Sequence, residues 1–242
     1  MKKFTPKLED RIDIIQDAIN SLIKVHTDMR DSIVASDRKN LRMNAVYFLM
    51  GRLLTHCNSM LKLMQEGFWV EATIIIRSMY ETQWLLEYFG IEENESKIHL
   101  KNWFDGKIIK PSMVRKKVSF DDESLLSFHR VVYKELSQFI HPTYRSSTFN
   151  MNGKNFEYIY SGASGHDKDW QFVTDYAAQT IMAFMLEFLL EDNYEVFTLD
   201  RKSRMDLKKN CERLIEEFTK GWPPQERKKF LGFPNTLDEI HV

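Results

Sequence analysis

Apolar residues recur at three- and four-residue intervals from the start of the chain, at Leu8, Ile12, Ile15, Ile19, Leu22 and Met29, with Asp and Lys on the opposite side. That period predicts an amphipathic helix from Leu8 to about Ile33. Ser36 or Asp37 is placed to cap a second helix, which runs to about Glu66 through Leu41, Val46, Leu49, Leu53, Leu54, Met60 and Leu61. Gly67 supplies its stop. The next segment, FWVEATIIIRSMYETQWLLEYF over Phe68–Phe89, is apolar on nearly every face between Ala72 and Met79, which predicts a central, buried helix. Short connections of this kind favour antiparallel neighbours.

Beyond Gly90 the pattern weakens. Asn94–Phe104 reads as a short helix, and Lys107–Val118 is basic with Pro111 inside it. Asp121, Asp122 and Glu123 put negative charge at the start of a further helix, where it complements the macrodipole. That helix runs through Leu125, Phe128, Val132, Leu136 and Phe139, and His141-Pro142 closes it, because proline disfavours helical geometry in the residue before it. One β signal follows. Phe149 and Met151 alternate before Asn152-Gly153, and Phe156, Tyr158 and Tyr160 alternate after it, which predicts a hairpin near 147–160. Asp167 then caps a long helix to about Tyr194 whose centre, TIMAFMLEFLL, is apolar on most faces. Asp200–Thr219 is amphipathic and is stopped by Gly221-Trp222-Pro223-Pro224. The expected fold is all-α: an antiparallel helical bundle with two central apolar helices and one inserted β-hairpin. No repeat or low-complexity linker divides it, so a single domain is expected over 1–242, with a core from about 8 to 219 and a C-terminal tail from 220 to 242.

Composition agrees with that picture and removes several functional classes. Nine Gly and six Pro among 242 residues are too few for a turn-rich β or doubly wound fold, and 43% hydrophobic content with 17 Phe argues against disorder. A formal net charge of −1 lacks the basic excess of a dedicated nucleic-acid binder. Cys57 and Cys211 lie in predicted helices without zinc-ligand spacing, as expected of reduced thiols. The opening MKKFTPKLEDRIDII has charges where a signal peptide needs its apolar stretch, and no uncharged apolar run approaches the roughly 20 residues of a membrane span. Ile181–Leu190 comes nearest but contains Glu187. The expectation is a soluble, cytoplasmic protein with no membrane partner.

The candidate chemistry sits on the apolar helices. Arg77 and Glu81 are one turn apart in the third predicted helix, and Ser137 and His141 share the same spacing near the end of a later one, flanked by Tyr133 and Arg145. Buried charge is costly unless paired, so these groups must meet one another, a ligand or water. A structural salt bridge, a ligand cleft and catalysis are all open readings. Ser137 and His141 resemble a nucleophile and base in type, but no nucleophile elbow accompanies them, and SGASG does not fit G-x-S-x-G. No metal site is expected: Glu95-Ser96-Lys97-Ile98-His99 has one residue more than the Glu-x-x-His of a di-iron bundle. No phosphate-cradling glycine loop appears, and no cofactor is expected. Lys107, Lys110, Arg115, Lys116 and Lys117 read as a solvated basic face, with contact to RNA as the alternative.

Two segments, GFWVEATIIIRSMYETQWLLEYF and YKELSQFIHPTYR, resemble the signature segments of a bacterial all-helical family of unknown function. Gly67, Ala72, Arg77, Ser78 and Glu81 carry the first signature; Tyr133, Leu136, Ser137, His141 and Pro142 carry the second. The resemblance spans about Leu41 to Leu190. More distantly the arrangement is similar to HEPN-type helical domains, many of them from toxin–antitoxin and phage-defence systems. Active HEPN ribonucleases separate an arginine and a histidine by four to six residues; Arg52 and His56 are one residue short of that, and Arg130 and His141 are much further apart. The resemblance therefore implies a non-catalytic binding or interaction module. Its expected polar cleft is formed by Arg77, Glu81, Tyr133, Ser137, His141 and Arg145, for a nucleotide, another anionic small molecule or RNA, in a defence or toxin–antitoxin setting. The alternatives are a metal-independent RNase-like enzyme using His141 and Arg77, and a purely structural bundle that forms a homodimer.

Overall fold

Gly67 makes a tight turn between two long helices. Its φ of 78° lies in the left-handed region, and two hydrogen bonds close the preceding helix, Gly67 N–H to the Met64 carbonyl at 3.1 Å and Phe68 N–H to the Leu63 carbonyl at 2.7 Å. This 6→1 and 5→2 pattern is a Schellman closure, which strongly prefers glycine. It lets the helix Leu41–Gln65 (α2) turn directly into Trp69–Gly90 (α3), and these two pack more extensively than any other described pair.

The computed structural model describes residues 7–35, 40–90, 94–120, 122–140, 151–152, 157–158, 167–190, 201–225 and 227. The remaining helices among them are Leu8–Ala35 (α1), Asn94–Phe104 (α4), Pro111–Val118 (α5), Glu123–Ser137 (α6), Asp167–Leu190 (α7) and Arg201–Phe218 (α8). The fold is all-helical in class, as the apolar periodicity predicts. The two helices expected to be central, α3 and α7, do pack on each other. One continuous apolar core joins them to α1, α2 and α8, with Trp84, Tyr88, Phe89, Phe184 and Phe218 among its largest fully buried side chains. No described helix is long and apolar enough to cross a membrane. Cys57 and Cys211 are free and buried, and burial pushes both thiols up to about 12, which leaves them unreactive near neutral pH.

Several boundaries differ from the sequence reading. The cap of α2 is Asn40, whose side chain accepts from Arg42 N–H and Met43 N–H, and not Ser36 or Asp37, which lie outside the described residues. The basic segment Lys107–Val118 is helical only from Pro111, because proline is tolerated in the first turn, where its missing N–H breaks no bond. The helix α6 begins as predicted, with Asp122 accepting from Ser124 N–H and Leu125 N–H. It ends at Ser137, four residues before His141. There the hydrogen bonds tighten to i→i+3, from Gln138, Phe139 and Ile140 N–H to the Glu135, Leu136 and Ser137 carbonyls. The cause is chemical: Pro142 has no N–H to continue the α ladder from Gln138.

In the stretch 147–160 the described residues form a two-residue antiparallel pairing, Met151 with Tyr158 and Asn152 with Glu157. That register leaves residues 153–156 between the strands, whereas a two-residue turn at Asn152-Gly153 requires residue 151 opposite 154. The rest of the predicted hairpin lies outside the described residues. So do residues 191–194 of the predicted long helix and most of the C-terminal tail. The start of that tail docks: Trp222 N–H donates to the Thr219 carbonyl, and the Trp222 ring meets Phe218 edge-on.

Candidate functional site

Arg77, Glu81 and Trp84 fall at i, i+4 and i+7 of α3 and share one face of it. The helices α5 and α6 both pack on α3. Burial of Val114 and Val118 fixes the rotation of α5, and burial of Leu126, His129, Val132 and Leu136 fixes that of α6. The result is a cluster built around the ring of Tyr133, a residue of α6.

Arg77 Nη2 donates to the Tyr133 hydroxyl oxygen and lies 3.1 Å from Glu81 Oε1. Its guanidinium carbon is 4.6 Å from the centroid of the Tyr133 ring. Arg115, from α5, approaches the same ring at 4.1 Å and the Trp84 ring at 5.2 Å. Trp84 in turn meets Tyr133 at 6.0 Å and His129 at 5.3 Å between centroids. Two cations therefore lean on one phenol ring, held by the ring quadrupole.

His129 closes the inner side. Its Nδ1 is 3.3 Å from Ser119 Oγ, and Ser119 Oγ donates its own proton to the Arg115 carbonyl at 2.7 Å, so the imidazole donates at Nδ1. Burial first, and the neighbouring Arg115 guanidinium second, push its pKa down to about 4. His129 is thus neutral near pH 7 and adds no charge to the cluster.

Donors exceed acceptors here. Arg77 Nε and Arg115 Nη1 are both buried, and neither has a hydrogen-bond acceptor among the described residues. Glu81 is the one carboxylate paired with either guanidinium among those residues, so the cluster carries an excess positive charge. Tyr133 accepts from Arg77, which leaves its own hydroxyl proton available to an acceptor.

Of the residues singled out from sequence, the structure brings together Arg77, Glu81 and Tyr133. The Arg77 and Glu81 side chains are partly buried, at 20% and 33% exposure. Ser137 is turned to other use. Its hydroxyl donates to the Tyr133 carbonyl at 2.5 Å, the i−4 back-bond common at helix ends. His141 and Arg145 lie outside the described residues.

Arg115 was read as part of a solvated basic face, and that face divides. Lys116 is exposed, Lys117 bridges to Glu95 at 2.8 Å, and Arg115 points onto the aromatic rings. No local signal in the sequence sets Arg115 apart from the lysines around it. No group of three or more His, Cys, Asp or Glu suited to a metal occurs among the described residues. The chain matches no family model, and no curated protein or solved structure matches it.

Because Arg77 joins α3 to α6 through Tyr133, Arg77→Ala should lower stability by about 2 kcal/mol, the sum of the lower-range values for one charge-assisted hydrogen bond (about 1.5 kcal/mol) and one partly exposed cation–π contact (about 0.5 kcal/mol). Lys116→Ala should stay within about 0.5 kcal/mol of the parent. Chemical denaturation of the two variants checks this, and equal midpoints would mean that the Arg77–Tyr133 contact carries no stability.

Proposed function

We propose that the protein is a non-catalytic helical binding module whose Arg77, Arg115 and Tyr133 take up an anionic ligand, a phosphate group foremost. The observation that carries this reading is the imbalance at Tyr133. Two guanidiniums lie on one ring, only Arg77 is paired with a carboxylate among the described residues, and each guanidinium keeps a buried N–H without an acceptor among them. Unsatisfied buried donors are rare in folded proteins, and a polyanion satisfies several at once. A phosphate oxygen can also accept the Tyr133 hydroxyl proton.

The same reading takes the chain as one domain, an antiparallel bundle with a hairpin inserted near 147–160, working in the cytoplasm. The short Gly67 connection and the pairing of Met151 with Tyr158 support those parts. His141 and Arg145 belong to the proposed cleft by their place after Tyr133 in the sequence. The distant similarity of the helical arrangement to HEPN-type domains supports a defence or toxin–antitoxin setting. A purely structural role is favoured by one observation, that Arg77 already reaches both Glu81 and Tyr133.

Thermal unfolding in inorganic phosphate, against chloride at matched ionic strength, separates these readings. Phosphate stabilises most proteins weakly by exclusion from their surface, and that effect acts alike on parent and variant. Specific binding adds about 2.7 kcal/mol at a hundredfold excess over Kd. The parent should gain this increment and Arg115→Gln should lose it. Equal gains in both would leave the structural reading standing.

A further inference from the structure

The helix α4 seats Ser96 and Leu100 inward and turns Lys97, Ile98, Lys101 and Phe104 to the outside, with Ile98 63% exposed. The chain then reverses at Gly106, whose φ is 78°. Hydrogen bonds from Gly106 N–H to the Trp103 carbonyl at 3.0 Å and from Lys107 N–H to the Asn102 carbonyl at 2.9 Å fix this turn. Beyond it Ile109 packs on the core, and its neighbour Ile108 is turned out, 91% exposed. Single exposed apolar residues are ordinary, but here Ile98, Phe104 and Ile108 lie on one helix and the turn that ends it. Exposed lysines stand among them at 97, 101, 107 and 110, and Asp105 is the one acidic residue between those limits.

We infer that this face docks on an anionic phospholipid bilayer. Ile108 enters the boundary below the headgroups, Ile98 and Phe104 rest against it, and the lysines meet the headgroup phosphates. The expectation of no membrane partner concerned spanning segments, and contact at the surface needs none: a few exposed apolar side chains ringed by cations suffice. Charge complementarity and shape together choose the partner. A bilayer accepts a projecting Ile108 without a preformed pocket, whereas an RNA strand would engage the lysines and leave the isoleucines unused. The formal net charge of −1 does not draw the whole chain to an anionic surface, so the attraction is local to this face.

Flotation of the full chain with vesicles tests this, using phosphatidylcholine alone and an equal mixture with phosphatidylglycerol. The parent should float with the mixed vesicles and not with phosphatidylcholine. The double variant Lys107→Gln with Lys110→Gln should bind about twenty-fivefold more weakly, at about fivefold for each lysine. Ile108→Ser should bind about tenfold more weakly through lost apolar burial. All three side chains are exposed, so the variants keep the fold, which circular dichroism confirms. Lys208→Gln with Lys209→Gln on α8, an equal change of charge, should float as the parent does. Absence of flotation, equal flotation with both kinds of vesicle, or variants at 107, 108 and 110 that match the parent overturn the inference. An equal loss in the two lysine pairs overturns it too, since net charge alone would then govern binding. A short oligouridylate whose binding needs Lys107 and Lys110 but not Ile108, in a chain that does not float, assigns the face to RNA instead.

Discussion

Arg11→Ala should be the most damaging single truncation of a charged side chain, costing about 2–4 kcal/mol, in the range of large-to-small core substitutions. Arg11 is 3% exposed. Its guanidinium lies 4.7 Å from the Phe218 ring centroid, 5.6 Å from Trp170 and 5.7 Å from Trp222, and Nη1 donates to Thr174 Oγ1 at 3.2 Å and to the Asp175 carboxylate. Alanine would leave a void among three rings and a carboxylate without its partner. The charges themselves contribute little. Burial raises the Asp175 pKa, and the attraction of Arg11 does not overcome it. A carboxylate whose folded pKa is raised favours the unfolded state once it ionises, so between its unfolded and folded pKa values stability falls as pH rises. Filling the space without charge should therefore restore most of the loss. The double variant Arg11→Met with Asp175→Leu is expected within about 1 kcal/mol of the parent, as buried ion pairs replaced by apolar residues often are. Urea denaturation of the three proteins decides; a double variant as unstable as Arg11→Ala would show that the charge pair itself holds the helices.

Acid should weaken the fold through His129. Its pKa is about 4 in the folded chain against the ordinary histidine value of 6.5, so the unfolded chain binds the proton more readily between those limits. The sign follows: stability is complete above about pH 6.5, declines as pH falls, and has lost roughly 3 kcal/mol from this one group by pH 4. Burial likewise lowers the pKa values of His26 and His56, which adds to the slope in the same direction. His129→Gln isolates the contribution, since it keeps polar bonding capacity but cannot titrate. Denaturation midpoints at pH 7.5 and pH 4.5 should converge in the variant relative to the parent; an unchanged pH difference would remove His129 from the account.

The helices were largely legible because their boundaries rest on local chemistry. Leu8 opens α1, Asn94–Phe104 is α4 to the residue, and Gly67 and Gly221 sit at left-handed turns where only glycine is unstrained. Phe120 defied that rule: it takes φ 47° after α5 with its side chain 67% exposed, a helix-end position at which glycine is the usual residue. The Arg77–Glu81 pair was legible from its i,i+4 spacing. Its burial was not, because how far a face is covered depends on neighbours in space. Arg115 was hidden for a related reason: four lysines around it in sequence resemble a solvated run, and only the packing of Val114 and Val118 decides which way it turns. Arg11 left a clearer trace. It falls three residues after Leu8 and four before Ile15, on the apolar stripe of α1, where a charge demands a partner. Its partners, however, come from Trp170 onward, far along the chain, and no local pattern names them.

That separation has a consequence for how the molecule is made. Synthesis runs from the N-terminus, so α1 leaves the ribosome well before α7 and α8, against which it packs. Ile15, Ile19 and Leu22, all fully buried in the finished protein, lie on a helix that can pack early on α2. The helix α1 is thus a waiting element whose seat is completed when Trp222, from the distant segment after α8, arrives. Contacts of such long sequence separation are slow to form because loop closure precedes their reward. A nascent chain that has not yet delivered α8 would carry part of the apolar stripe of α1 uncovered.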